Sequence, residues 1–280
     1  MTEKLKTTRE ELALLLKEKE GSMDLARAAL LLAQDEYPGL NPALYLDQIS
    51  SLAKRVAGKI TTGRDPLATV AALNSVLFEE EDFKGNAEEY YDPRNSFLNE
   101  VLDRRTGIPI TLSLLYLDVA RRADIPMAGI GLPGHFIVGL ISPGRTIYVD
   151  PFHQGQLMTV KECADRVAKI FDGQMAFTPD HLDPVDARGI LFRLLTNLKN
   201  IYMESRSFAK GHSVIDKMVL LAPNEWAQVR DRGVVRYHLK HFQPALADLN
   251  LYLQNEPEAP DRPDIIKLEK LILKEMKNPS

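Results

Sequence analysis

The stretch GHFIVGLISPGRTIYVDPFHQG, residues 134–155, contains two runs rich in branched and aromatic residues on either side of a Pro-Gly pair. Such runs around a two-residue turn are typical of an antiparallel β-hairpin. With the Pro-Gly pair in the turn, Ser142 lies opposite Arg145, and His135 lies diagonally across from Asp150 on one sheet face. Diagonal neighbours are roughly 7 to 8 Å apart, which an imidazole and a carboxylate can bridge. The hairpin therefore predicts a paired histidine and aspartate.

The chain before the hairpin predicts two consecutive helices. DPRNSFLNEVLDRRTG, residues 92–107, begins with Asp92 as a candidate N-cap and Pro93 at the first helical position, and Gly107 lies just past its end. Pro109 fits the first turn of the next helix, whose apolar residues surround nearly the full circumference. A helix that is apolar on all sides is central and buried.

Residues further from the hairpin predict additional helices and an additional strand. Apolar residues at helical spacing predict three or four short helices up to about Leu77, punctuated by PGLNP at 38–42 and TTGRDP at 61–66. MAGIGL, residues 127–132, predicts a third strand, so the sheet is an antiparallel meander. We therefore predict an α+β fold with a central buried helix.

The C-terminal part contains an internal repeat with a period of 34 residues. The matched pairs include Phe208 with Phe242, Ile215 with Leu249, and Pro223 with Pro257, although Arg236 stands where the first copy has Tyr202. This period is the signature of tetratricopeptide (TPR) repeats, and two repeats are too few for an independent solenoid. We predict three segments: an N-terminal helical segment packed on the core (1–88), the core (89–180), and TPR-like repeats that pack on the core (181–280).

Composition narrows the classes of partner and compartment. The chain has 280 residues, 45% of them hydrophobic and 26% charged, as in a globular protein. Its 35 basic and 39 acidic residues are spread along the chain without a basic stripe, so nucleic acid is not an expected partner. The N-terminus lacks the apolar core of a signal peptide, and no stretch suggests a membrane span. The one cysteine, Cys163, suits a reducing cytoplasm.

Three stretches resemble the bacterial SirB-type family: NSFLNEVLDRRTGIPITLSLLYLDVARRADIP (95–126), GLPGHFIVGL (131–140) and YVDPF (148–152). The core of that family is similar to transglutaminases of the papain-like superfamily, and it often carries C-terminal TPR repeats. The resemblance covers nearly the whole chain. It implies a transglutaminase-like core in which active relatives use a cysteine, a histidine and an aspartate.

Such a triad needs its thiol at a helix N-terminus, a histidine that accepts the proton, and a carboxylate that orients the ring. When VARRADIP at 119–126 is aligned with the end of the central helix in active relatives, the histidine falls on His135 and the aspartate on Asp150. The cysteine falls on Pro109, which has no nucleophilic atom. The resemblance thus implies the base and orienter of a triad without its nucleophile.

Two hydroxyls of the central helix and the thiol of Cys163 are the groups that could replace the missing nucleophile. Thr111 lies about 200 degrees round the helix from Pro109, and Ser113 returns to nearly the same face about 6 Å deeper. We expect both hydroxyls to bond to carbonyls of the preceding turn, with Ser113 kept as a candidate nucleophile. Cys163 follows the triad positions in an amphipathic helix, where a lone cysteine is usually a small buried hydrophobe.

Two further groups of polar residues have open interpretations. Asp150, His153 and His135 could form an open zinc site, but the turn after Pro151 need not aim His153 inward, so we predict no metal and no cofactor. A polar run before the central helix predicts capping and surface contacts. Its candidates for ligand contact at a cleft rim are Asn95, Asn99 and Arg105.

These observations favour a non-catalytic protein- or peptide-binding regulatory module, a pseudoenzyme whose partner binds the TPR-like repeats or a core cleft. In that interpretation His135 and Asp150 form a structural pair or part of a binding site. The alternative is a hydrolase or acyl-transfer enzyme that uses the pair with Ser113 or an activated water. A purely architectural subunit is a third possibility.

Overall fold

A computed structural model describes residues 8–17, 23–60, 65–142 and 144–277. The chain divides into two units, Met1–Leu194 and Leu195–Ser280. The predicted turn residues 61–64 and Pro143 lie outside the described residues. The predicted division into three segments, and the packing of the repeats on the core, stay predictions.

Four helices precede the acidic stretch near residue 80, in agreement with the sequence pattern. Asp24, Asn41 and Asp65 cap the second, third and fourth helices through side-chain oxygens that accept backbone N–H groups. Every residue of the second helix except Arg27 is buried. The helices are α1 (Thr8–Leu15), α2 (Leu25–Ala33), α3 (Pro42–Lys59) and α4 (Pro66–Asn74), and α4 continues into a π-helical turn at Ser75–Glu80.

The helix predicted over residues 92–107 is interrupted. Asp92 does act as an N-cap, but it caps a short 3-10 turn, Pro93–Ser96, and α5 (Leu98–Arg104) begins separately. Arg105 ends α5 in the left-handed conformation with φ of 54°. Gly107 lies past the end of the helix, as predicted, but the residue that terminates it is Arg105.

Gly107 instead lies in a two-residue strand. This strand, β2 (Thr106–Gly107), pairs in parallel with β1 (Lys84–Gly85). A Cβ at Gly107 would lie 2.8 Å from Thr111 Oγ1, so glycine is needed there for close approach to the next helix.

The central helix is α6 (Pro109–Arg122), and its residues 109–120 are all buried. Thr111 Oγ1 accepts the N–H of Ile108 at 3.1 Å and donates to the carbonyl oxygen of Asn95 at 2.8 Å. The start of the helix is therefore capped from within the core. The sequence prediction of a central buried helix is confirmed.

The main sheet has five strands in the order β6-β5-β4-β3-β7, and each neighbouring pair is antiparallel. Ser142 pairs with Arg145, as the hairpin register predicted. The three predicted strands are confirmed, and two short edge strands are additional. The strands are β3 (Met127–Ile130), β4 (Ile137–Ser142), β5 (Arg145–Asp150), β6 (Gln156–Met158) and β7 (Pro184–Val185).

Helix α7 (Val160–Ile170) follows β6 and covers one part of this sheet. Its Thr159 and Glu162 form a capping box. Cys163 and Val167 of α7 are fully buried against a cluster that includes Ile130. The first unit is thus an α+β fold built round α6, as predicted.

The C-terminal repeats are helical, as predicted. Phe208 and Phe242 begin two helices of 14 residues each. The 34-residue period of the sequence therefore relates two whole helices to each other. Ile215 and Leu249 are fully buried at matching positions. The helices are α8 (Ala187–Glu204), α9 (Phe208–Leu221), α10 (Trp226–His238), α11 (Phe242–Asn255) and α12 (Arg262–Lys277).

Arg236, the departure from the repeat, has a partner in the second unit. Its Nη1 lies 2.6 Å from Oδ2 of Asp248, which is 4% exposed and also pairs with Arg232 at 2.8 Å. A buried carboxylate explains why an arginine stands at this position. Among the described residues, no helix has the length and apolar character needed to cross a membrane.

Candidate functional site

A cleft of about 870 Å³ lies in the first unit at the N-terminal end of α6. Pro109 forms part of its wall, and side chains of α7 form another part. Aromatic, imidazole and charged side chains meet in this cleft, which is lined by Ala87, Tyr90, Tyr91, Pro109, Gly134, His135, Phe152, His153, Gln156, Met158, Glu162, Asp165, Arg166, Lys169 and Ile170.

His135 lies at the base of the cleft and is 6% exposed. The preceding Gly134 has φ of 69°, and a Cβ there would lie 2.6 Å from Ile170 Cγ2, so only glycine allows the loop to approach α7 this closely. Arg193 Nη2 donates to the carbonyl oxygens of Leu132 and His135, both at 2.6 Å. The loop that carries His135 is thus held from both sides.

Asp150, at the end of β5, is fully buried beside His135. Its Oδ2 lies 2.7 Å from His135 Nε2 and 2.9 Å from His153 Nδ1, and its Oδ1 accepts the backbone N–H of Phe152 at 3.1 Å. Burial acts to raise the pKa of Asp150, but the hydrogen bonds from the two histidines outweigh it and hold the pKa well below its usual range. The carboxylate is therefore ionised and fully hydrogen-bonded.

His153 points inward, so the expectation that its turn need not aim it there is wrong. Asp150 caps the 3-10 turn Pro151–His153, and this short turn carries the ring back to the carboxylate three residues earlier. Arg166 Nη1 lies 2.9 Å from His153 Nδ1 and 3.4 Å from Asp150 Oδ2. The Asp-Pro pair, an N-cap followed by proline, is the sequence signal that indicates this turn.

Pro109 is the first residue of α6 and lines the same cleft as His135. The cleft thus combines a helix N-terminus with an imidazole and its orienting carboxylate, the arrangement that a thiol enzyme uses. At the helix terminus the side chain is a pyrrolidine ring, which has neither a nucleophilic atom nor a proton to give.

Comparison with known proteins agrees with this geometry. The sequence profile of the transglutaminase-like superfamily matches residues 43–196, more than half of the chain. The chain belongs to the transglutaminase-like superfamily. A tetratricopeptide repeat profile matches residues 198–268 of this transglutaminase-like protein.

Individual relatives confirm the SirB-type family. A UPF0162 protein of Xylella fastidiosa is 36% identical over 242 residues, which cover 84% of this chain and 85% of that protein. A UPF0162 protein of Vibrio cholerae is 28% identical, covering 85% and 88%. Protein SirB1 of Salmonella typhimurium is 25% identical, covering 77% and 79%.

The hydroxyls of the central helix of this transglutaminase-like core lie away from the cleft. Ser113 is fully buried, and its Oγ donates to the carbonyl oxygen of Phe136 at 3.4 Å. This partner lies on the neighbouring chain segment and not in the preceding helical turn, which corrects that expectation. Thr111 Oγ1, in contrast, bonds to the carbonyl oxygen of Ile108 in the preceding turn at 3.1 Å, as expected, as well as to that of Asn95. Ser113 is thus a buried residue of the core and is not one of the residues that line the cleft.

The three residues predicted for ligand contact also lie outside the lining of the cleft. Asn95 is fully buried, and its Nδ2 donates to the carbonyl oxygen of Glu89 at 2.7 Å. Asn99 is 3% exposed on α5. Arg105 pairs with Glu81 at 2.7 Å and lies 4.8 Å over the ring of Phe83. Asn95 and Asn99 are buried in the packing around α5, whereas the side chain of Arg105 is 38% exposed.

Cys163 is expected to resist alkylation in the folded transglutaminase-like protein. It is fully buried, and burial, together with the Asp150 charge, raises its pKa to about 11. Because the thiolate is the reacting species, iodoacetamide at about pH 8 should label the folded chain at least about 100-fold more slowly than the unfolded chain. Mass spectrometry of timed samples measures this ratio, and equal rates would contradict the buried position.

Proposed function

We propose that this protein is a non-catalytic, transglutaminase-like regulatory module that binds a protein or peptide. One observation carries the proposal: of the described residues that line the cleft, none is a cysteine, serine or threonine. The cleft is lined by His135, and Pro109 stands in it where the family resemblance places the thiol of active relatives. The single buried Cys163 supports a cytoplasmic location.

Aromatic side chains at the mouth of the cleft support peptide binding. Tyr91 is 71% exposed, and its ring packs edge-on against Tyr90 at 5.3 Å between centroids. Tyr90 in turn packs against Phe152 at 6.3 Å. Tyrosines supply large contact area at low entropic cost and are enriched at the centres of protein interfaces.

The TPR-like helices supply a second surface for a protein partner, because stacked helix pairs of this type form extended concave faces. Within the second unit, Lys199 pairs with Asp231 at 2.6 Å, and Arg230 pairs with Asp261 at 2.6 Å. These pairs fix the helices of the second unit relative to one another, which preorganises such a face for a partner. We propose that the repeats assist the cleft in partner binding.

The test is selection of peptides from a random display library against the immobilised full chain. We expect selected peptides to bind the Tyr91→Ala variant about tenfold more weakly, a loss of about 1.4 kcal/mol, since tyrosine is enriched among the few interface residues whose truncation costs this much. Leu44→Ala is the matched control, because Leu44 is 61% exposed on α3 and lies outside the cleft lining. Isothermal titration with both variants gives the affinities. Selected peptides that bind both variants equally would rule out the cleft as their site.

A second assay addresses the alternative of a hydrolase or acyl-transfer enzyme. Amide and ester substrates are incubated with the wild-type chain and with His135→Ala, and we expect the same background rate for both. The buried position of Ser113 argues against this hydroxyl as the nucleophile, and the assay also covers the activated water of this alternative. Turnover that depends on His135 would overturn the non-catalytic proposal.

A further inference from the structure

Three donor atoms of the cleft converge from separate parts of the first unit. They belong to His135 in the loop before β4, Asp150 at the end of β5, and His153 in the turn that follows. One ligand atom from each lies within 4.8 Å of the other two. Two imidazoles and one carboxylate are the protein ligand set of open zinc sites, in which the fourth position faces a cavity.

We propose that His135, Asp150 and His153 bind one divalent transition-metal ion, with Zn²⁺ as the best fit to these ligands. Ligands bound tetrahedrally at about 2.0 to 2.1 Å from zinc are about 3.3 Å apart. The two imidazole nitrogens now lie 2.7 and 2.9 Å from Asp150 Oδ2, so each contact has to open by about 0.5 Å. The ligand atoms lie within 4.8 Å of one another, so the two imidazoles also have to adjust to about 3.3 Å apart. His153 is 41% exposed on a short turn, which leaves it room for this movement.

The protons of the site balance without an added reactant. In the metal-free pair, each imidazole shares one N–H with Asp150. When the ion binds, each neutral ring carries that proton on its other nitrogen, and the ion takes its place beside the carboxylate. Asp150 Oδ1 keeps its bond from the backbone N–H of Phe152, which orients the carboxylate toward the ion.

Arg166 is the group that opposes the ion. Its Nη1 lies 2.9 Å from Nδ1 and 3.2 Å from Nε2 of His153, both within hydrogen-bond distance. Arg166 therefore has to release the His153 ring when an ion binds. Its positive charge also lies 3.4 Å from Asp150 Oδ2 and competes with a cation there.

The proposed site lies on the wall of the cleft and leaves one coordination position facing it. A water molecule or a donor atom of a bound peptide fits that position. The metal site does not rest on peptide binding, because its three ligands all come from this chain.

The experiment is titration of the full chain, first dialysed against a chelator, with Co²⁺ as a spectroscopic probe for a tetrahedral site and with Zn²⁺ as competitor. We expect one equivalent to bind with a visible absorption band that Zn²⁺ removes. His153→Ala should weaken Co²⁺ binding at least about 100-fold. His241→Ala, which removes an exposed imidazole in the other unit, is the matched control and should bind as the wild type does.

Arg166→Gln separates this site from adventitious binding elsewhere. Removing the competing charge should tighten Co²⁺ binding about tenfold if the ion lies beside Asp150. Circular dichroism of each variant verifies that the chain is folded. Absence of saturable binding, full binding by His153→Ala, or no change in Arg166→Gln would each overturn the proposal.

Discussion

Replacing Asp150 by alanine is expected to lower the free energy of unfolding of the first unit by about 3 to 5 kcal/mol. The carboxylate is fully buried and accepts bonds from two imidazoles and from the backbone N–H of Phe152. Without it, the buried ring of His135 and the cap of the following turn lose their partner. The cost is large because Asp150 is 0% exposed and His135 is 6% exposed, so the bonds that are lost belong to buried groups.

The sequence itself provides separate probes for the two units. Cys163 is the single cysteine and is buried in the first unit, while Trp226 is the single tryptophan and lies in the second. Alkylation of Cys163 across a urea series therefore reports unfolding of the first unit, and tryptophan fluorescence reports the second. We expect Asp150→Ala to move the Cys163 transition to lower urea.

Asp165→Ala is the matched control for this prediction. Asp165 is an exposed residue of α7 at the rim of the same cleft, and its replacement removes the same chemical group. We expect its stability to change by less than about 0.5 kcal/mol. Equal effects of the two substitutions would show that the buried network around Asp150 contributes no special stability.

Replacing Gly155 by alanine is expected to cost about 2 to 4 kcal/mol. Gly155 has φ of 74°, and a Cβ there would overlap the side-chain amide of Asn74. That amide donates to the Gly155 carbonyl oxygen at 2.9 Å and accepts from the Tyr116 hydroxyl at 3.0 Å. The substitution adds backbone strain and breaks the link between α4, the central helix and the turn that carries His153.

Gly144→Ala separates the strain from the collision. Gly144 has φ of 72°, nearly the same as Gly155, but no atom lies within 4 Å of the position of its Cβ. It should therefore cost only the strain, about 1 to 2 kcal/mol. The Cys163 alkylation assay measures both variants, and equal losses would contradict a role of Asn74 in holding the turn.

The local pattern of residues was enough to predict the central helix and the central strands of the first unit. The alternation around the Pro-Gly pair determined the pairing of Ser142 with Arg145, because strand side chains alternate with a period of two. The all-round apolar helix at Pro109–Arg122 followed from helical periodicity in the same way. The 34-residue offset matched whole helices, since each repeat is one packed helix pair.

No periodic sequence pattern predicted the edge strands or the interruption of the helix before α5. β6 and β7 have three and two residues, too few to show a period, and their pairing partners define them. The break between the 3-10 turn and α5 lies at Phe97, which is 5% exposed and packs edge-on against Tyr37 at 5.4 Å. Contacts across such sequence distances override local propensity.

By itself the sequence determined that a histidine and an aspartate pair at the end of a hairpin, and its family resemblance implies that Pro109 stands where active relatives have a thiol. Only the tertiary structure decided that His153 joins them, that Ser113 and Asn95 face into the protein, and that an open cleft reaches the pair. The physical reason is the distance along the sequence between the residues that interact. A periodic pattern of apolar residues indicates the local structure of one helix or strand. The direction of the Ser113 or His153 side chain depends instead on atoms that folding brings together from distant parts of the chain.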